Sequence, residues 1–215
     1  MEIFKKHFDK FVGQITLKES DDEIRSMALM VFQHFYDVQW SDLFTGRLIT
    51  VTPDVATKLE NIIKRLNAEE PVQYVLGYAF FCTHRFVVNP AVLIPRPETE
   101  ELVHHVIAFA KHRGAIHIVD VGTGSGCIAI TLALALPQAT VVGVDISNNA
   151  LDVARTNATQ LGVPVSFIQA DVLQHTLPCD KTDIVVSNPP YITNSEKQYM
   201  QPHVLRHEPH LALFV

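Results

Sequence analysis

The chain has 215 residues, 47% of them hydrophobic and 19% charged, with a net charge of −6. That is enough apolar material for one full core and a smaller second unit, and it excludes a disordered chain. The acidic balance argues against loose, phosphate-driven nucleic-acid binding, which needs a basic footprint. The three cysteines, Cys82, Cys127 and Cys179, form no CxxC pair, so neither a disulfide framework nor a cysteine zinc site is indicated. They fit a reducing, cytoplasmic compartment. Residues 1–6 lack the apolar stretch of a signal peptide, and the longest apolar run, 127–137, is too short to span a bilayer. No membrane association is expected.

Residues 1–72 read as a small helical bundle. Phe4, Phe8, Phe11, Val12 and Ile15 recur at helical spacing. Ser20 with Glu23 three residues on forms a capping box, ahead of a stripe of Ile24, Met27, Ala28, Val31, Phe32 and Phe35. Thr52-Pro53 opens a third helix with proline at its first position, lined by Val55, Leu59, Ile62, Ile63 and Leu66. Residues 73–95 change character. Runs 78–81 and 85–88 flank Cys82-Thr83-His84 and read as a β-hairpin linker.

Pro97 then starts a helix, with Glu98, Glu100 and Glu101 in its first turn, where acidic groups favour the helix dipole. From 115 on, strand and helix alternate. Strands are expected over 116–121, 140–145, 165–171 and 183–187, with helices over 127–136 and 149–161. Short βα units of this kind mean a doubly wound parallel sheet.

Three features fall at successive strand ends. Gly122-Thr123-Gly124-Ser125-Gly126 lets the backbone turn tightly and approach a ligand between a strand and a helix N-terminus. Asp145 ends the next strand about twenty residues on, where a carboxylate can accept both hydroxyls of a ribose. Asp171, with Val172 beside it, ends the third strand, within reach of an adenine. Together they indicate a nucleoside cofactor. The fourth strand delivers Asn188-Pro189-Pro190-Tyr191. Two prolines remove two donors and leave rigid carbonyl acceptors, Asn188 adds an amide, and Tyr191 adds a flat face. That set suits a planar NH2 group. Its nitrogen is a poor nucleophile, and hydrogen bonds that localise its lone pair would serve attack on an electrophilic methyl. His203, His207 and His210 do not make a metal site, because Pro209 interrupts the helix and no HExxH occurs.

The glycine loop, Asp145 and Asn188–Tyr191 resemble class I S-adenosylmethionine-dependent methyltransferases that act on amino groups. The run Val92-Leu93-Ile94-Pro95-Arg96-Pro97-Glu98-Thr99-Glu100 and the segment His207-Glu208-Pro209 resemble one family among them. This is the HemK/PrmC family, which methylates the glutamine of the Gly-Gly-Gln motif of peptide-chain release factors.

The resemblance implies a Rossmann-like methyltransferase domain over 96–215, preceded by the helical unit, which would help dock the release factor. S-adenosylmethionine would be the cofactor and S-adenosylhomocysteine its product. Gly122 to Gly126 would cradle the methionine part, Asp145 the ribose, and Asp171 and Val172 the adenine, with Asn188 also among the cofactor-binding residues. Asn188 and the Pro189 carbonyl would hold the substrate amide, with Pro190 shaping the turn and Tyr191 packing on the amide. Glu208 and Pro209 would support that loop. The enzyme would act as a monomer without direct nucleic-acid binding. Cys82 departs from the glycine usual in the hairpin. The family sheet has seven strands. A sheet cut short after the fourth is therefore expected here, with an exposed edge at 183–187. The residues alone leave two alternatives open: an N6-adenine-type nucleic-acid methyltransferase, or a cofactor-binding module without catalysis.

Overall fold

A computed structural model describes residues 1–174, 181–193, 195–199 and 202–214. Cys179 and Val215 lie outside them. The chain divides into two compact units, Met1–Leu76 and Gly77–Val215.

The first unit runs β1 (Glu2–Ile3), α1 (Phe4–Val12), α2 (Asp21–Phe35), β2 (Leu48–Ile49), α3 (Pro53–Asn67) and α4 (Val72–Leu76). Ser20 and Glu23 form the expected capping box on α2, and Pro53 opens α3 behind the N-cap Thr52. The first helix stops at Val12, short of Ile15. Phe4, Phe8 and Phe32 are fully buried, with ring centroids 5.3–5.9 Å apart. Rings at that spacing contribute beyond their buried area. The antiparallel pairing of β1 with β2 was not legible in the sequence, since each strand is two residues long.

The second unit opens with an antiparallel hairpin of β3 (Tyr78–Phe81) and β4 (His84–Val87), joined by the two-residue turn Cys82-Thr83. His84 is therefore strand, not turn. Both turn residues are left-handed, with φ of +46° and +68°. A right-twisted hairpin needs that conformation and usually finds it in glycine or asparagine. The Cys82 N–H donates to Glu100 Oε1 at 3.0 Å, which holds the strained turn from outside the hairpin.

Then follow α5 (Pro97–Ala110), β5 (His117–Val121), α6 (Cys127–Ala135), β6 (Thr140–Asp145), α7 (Asn148–Leu161), β7 (Ser166–Gln169), β8 (Ile184–Ser187) and α8 (Pro202–His207). Pro97 is at the first position of α5, but only Glu98 and Glu100 lie in its first turn. The apolar helix α6 is buried along most of its length and sits in a core with Val103, Ile118, Val141 and Val186.

β5 to β8 form one parallel sheet in the order β7-β6-β5-β8. The first three strands step outward to one side, and the fourth returns to the other side of β5. The strand order thus reverses between β5 and β8. In open α/β sheets, ligands bind at the carboxyl ends of the strands at such a reversal. Among the described residues β8 pairs in the sheet with β5 alone, and its Val185 is 56% exposed, as an uncovered edge strand would be.

Candidate active site

The register of β5 with β8 sets Val121 beside Ser187, so Gly122 and Asn188 leave neighbouring strands side by side. The Ser187 hydroxyl donates to the Val121 carbonyl at 2.7 Å and ties the two exits together.

The glycine loop is built by its own backbone. The Gly122 and Thr123 N–H groups donate to the Val144 carbonyl at 2.8 and 3.0 Å, and the Gly126 N–H donates to the Thr123 carbonyl at 2.8 Å. Gly122 and Gly124 have φ of +71° and +54°, with open space where a side chain would begin. The loop is therefore open above both positions. Gly126 has the opposite reason to be glycine. A Cβ there would lie 2.9 Å from Ile130 Cδ1 and 3.1 Å from Ala154 Cβ, so the gap between α6 and α7 is already full.

Asp145 spans the loop and the next helix. Its Oδ2 accepts the Gly124 N–H and its Oδ1 the Ser147 N–H, both at 2.9 Å. Each carboxylate oxygen has a second lone pair, so capacity for a pair of ribose hydroxyls is kept. The Ala170 N–H donates to the Asp145 carbonyl at 3.1 Å, which joins the corner carrying Asp171 and Val172 to this group. Asp171 lies two residues past the end of β7, which stops at Gln169, not at the strand end itself. Its Oδ1 accepts the Leu173 N–H at 3.0 Å, so one oxygen caps its own turn.

Two buried polar residues escaped the sequence reading. Asp120, 0% exposed, accepts the Thr123 hydroxyl at 2.6 Å and the Ala129 N–H at 3.2 Å on Oδ2. Its Oδ1 is buried without a partner among the described residues. Burial pushes its pKa up to about 7, against the lowering effect of those two donors, with the nearby Asp145 charge adding to the rise. The one signal was a carboxylate inside an otherwise apolar strand. Asn157, buried on α7, accepts the Val87 N–H at 2.7 Å and donates to the carbonyls of Val87 and Ser125 at 3.0 and 2.9 Å. It thereby bolts the hairpin to the glycine loop. Its position on a helix face gives no hint of these partners.

The second loop is more open. Asn188 and Pro190 are half-buried, Pro189 is exposed, and Tyr191 is 74% exposed. The Asn188 Nδ2 donates to the Thr99 hydroxyl at 3.2 Å. Beyond Tyr191, Ile192 forms a parallel bridge with Phe214, and its N–H donates to the Leu213 carbonyl at 3.1 Å. Glu208 is buried. Its Oε1 pairs with Arg96 at 2.5 Å and its Oε2 accepts the Ile94 N–H at 3.4 Å. No group of His, Cys, Asp and Glu that could hold a metal occurs among the described residues. Nor is any helix there long and apolar enough to cross a membrane.

Residues 97–210 match the family model described as the methyltransferase small domain, and residues 13–77 match the PrmC N-terminal domain. A protein of Bacteroides thetaiotaomicron named release factor glutamine methyltransferase is 44% identical over 90% of this chain and 69% of its own length. One of the same name from Flavobacterium psychrophilum is 38% identical over 99% of this chain and 76% of its own. Another, from Neisseria gonorrhoeae, is 39% identical over 96% and 72%. The chain belongs to the release factor glutamine methyltransferase family. The family match runs through both units, and the methyltransferase part includes the glycine loop, Asp145, Asp171 and Asn188–Tyr191.

Proposed function

We propose that the enzyme transfers a methyl group from S-adenosylmethionine to the side-chain amide nitrogen of the glutamine in the Gly-Gly-Gln motif of peptide-chain release factors. The observation that supports this reading is the β5–β8 pairing, which brings the open glycine loop beside the Asn188–Tyr191 loop. Gly122, Thr123, Gly124, Ser125 and Gly126 hold the methionine part, Asp145 the ribose, and Asp171 with Val172 the adenine. Bound there, S-adenosylmethionine supplies a methyl group on a positively charged sulfur.

The remaining work is done by the second loop. Asn188 Oδ1 and the Pro189 carbonyl accept the two N–H bonds of the glutamine amide. This fixes the nitrogen and draws its lone pair out of conjugation with the amide carbonyl, toward the methyl. Pro190 keeps the Pro189 carbonyl in place, and Tyr191 covers the face of the amide. No strong base is needed before attack, because the nitrogen becomes acidic as its new C–N bond forms and then gives its proton to water.

Residues 1–72 help dock the release factor, 73–95 link the units, and 96–215 carry the chemistry. The enzyme works as a monomer in the cytoplasm and does not engage nucleic acid directly. The test offers full-length enzyme and tritiated cofactor three acceptors: release factor, the same factor with its motif glutamine changed to alanine, and DNA. Label is expected on the first alone. Label on DNA instead would sink the reading. Asn188→Ala is expected to abolish transfer while S-adenosylhomocysteine still binds, as read by calorimetry.

A further inference from the structure

The stretch before the glycine loop, Pro95-Arg96-Pro97-Glu98-Thr99-Glu100, has a role that the reaction has not yet used. We infer that Thr99 is a positioning residue, whose hydroxyl anchors the Asn188 amide by its nitrogen end and so holds its oxygen toward the substrate. This rests on the reading of Asn188 as the group that grips the glutamine.

The two ends of an asparagine amide are similar in shape and opposite in hydrogen bonding. A glutamine NH2 offers only donors, so Asn188 must present its oxygen. Were the amide turned over, donor would face donor and the grip would become a repulsion. The Asn188 Nδ2 donates to Thr99 Oγ1 at 3.2 Å, which anchors the nitrogen end; a hydroxyl serves either end of an amide, and the two donors of the substrate favour the arrangement that leaves Oδ1 facing them. Thr99 is free to do this. It sits in the first turn of α5, yet Arg96 is the N-cap and no side chain caps that helix end. The Thr99 N–H is already satisfied by the Arg96 carbonyl at 3.0 Å.

Thr99 is also held in place. It is buried at 8% exposure, so its rotamer is set by packing. The chain just ahead is pinned by the buried Glu208 carboxylate, which pairs with Arg96 and accepts the Ile94 N–H. The helix start therefore approaches Asn188 from a fixed direction. A loop residue whose neighbour Tyr191 is 74% exposed gains its orientation from this separate element.

Thr99→Val keeps the shape and removes the hydroxyl, whereas Thr99→Ser keeps the hydroxyl. The valine variant is expected to lose about 10- to 100-fold in kcat, the effect of misplacing a reacting group by a fraction of an ångström to an ångström. The KM for S-adenosylmethionine and the affinity for S-adenosylhomocysteine are expected to stay unchanged, and the serine variant to recover most of the rate. If Thr99→Val turns over at the wild-type rate while Asn188→Ala is dead, the positioning role is wrong and the grip stands. If Asn188→Ala is also fully active, the grip itself is wrong. Equal loss in the valine and serine variants means that Thr99 matters only through packing and overturns the inference.

A measurement on unaltered protein covers the case in which Thr99→Val does not fold. With 15N-labelled asparagine, the Asn188 side-chain signals are those missing from Asn188→Ala. Their protons are expected to exchange with water more slowly than those of the exposed Asn148 and Asn149. Equal exchange overturns the inference.

Discussion

The loops that leave β5 and β8 lie side by side at the carboxyl edge of one sheet, but they are held in different ways. The glycine loop is closed by bonds from its immediate surroundings: the Val144 carbonyl, the Asp145 carboxylate and the Asn157 amide. Among the described residues, the Asn188–Tyr191 loop has one such side-chain bond, from Asn188 to Thr99, and the chain just past it is held by the Leu213 carbonyl. A cofactor always has the same shape, and a rigid, pre-built cradle suits it. A protein substrate has to enter and leave, and a more open loop with an exposed aromatic permits that. The difference teaches that two loops at one sheet edge can be given separate rigidity by separate parts of the chain.

The sharpest way to break the contrast is Asn157→Leu. It leaves the Val87 N–H, the Val87 carbonyl and the Ser125 carbonyl without their partner. The expected loss is about 3 kcal/mol in urea unfolding, since each buried unsatisfied group costs about 1–3 kcal/mol. A loss below about 1 kcal/mol would mean that the glycine loop is no better braced than its neighbour.

A smaller effect is expected from Asp120→Asn, and it depends on pH. Asp120 has its folded pKa raised from 3.8 to about 7 by burial. The folded state therefore holds the proton more tightly than the unfolded chain. This contribution to stability is fully present below the unfolded pKa and is lost as pH rises through the folded one. Asparagine cannot ionise. The melting temperature of Asp120→Asn minus that of the wild type is therefore expected to climb from about pH 4 to about pH 7 and then level off. Melting both proteins across that range checks it, and a constant difference would show that Asp120 stays ionised beneath the glycine loop.

The smallest effect belongs to the open side of the sheet. Val185→Thr on β8 is expected to change unfolding stability by no more than about 0.5 kcal/mol, because the residue is mostly exposed. A larger loss, read in the same urea experiment, would show this edge to be packed as firmly as the cofactor side.

Much of this was legible in the residues. The strands read as short apolar runs, the glycine loop and Asp145 followed at the expected spacing, and the capping box at Ser20 and Glu23 formed as read. Local patterns suffice there because helix periodicity, capping and tight turns are decided within a few residues. What remained hidden was of two kinds. The strands β1 and β2 are too short to carry a period. Asp120, Asn157 and Thr99 look ordinary in their own segments; Asp120 bonds Thr123 and Ala129 close by once the loop is wound, whereas Asn157 and Thr99 make their important bonds to partners that the fold brings in. In the hairpin, the left-handed conformation of Cys82 and Thr83 runs against their preferences and is accepted because the strands and Glu100 hold it.

By itself, the sequence determined which chemical groups this protein has at its strand ends: three closely spaced glycines, the carboxylate of Asp145 and the amide, two prolines and ring of Asn188–Tyr191. These are properties of residue type and spacing along one strand and the turn after it. Only the tertiary structure decided that the glycine loop and the Asn188–Tyr191 loop are neighbours. Gly122 and Asn188 are 66 positions apart, and the chain crosses back over β5 to bring them together. That adjacency is set by sheet order and register, which arise from packing between segments. The same is true of Thr99. It is one polar residue at a helix start until the fold sets its hydroxyl against the nitrogen of Asn188.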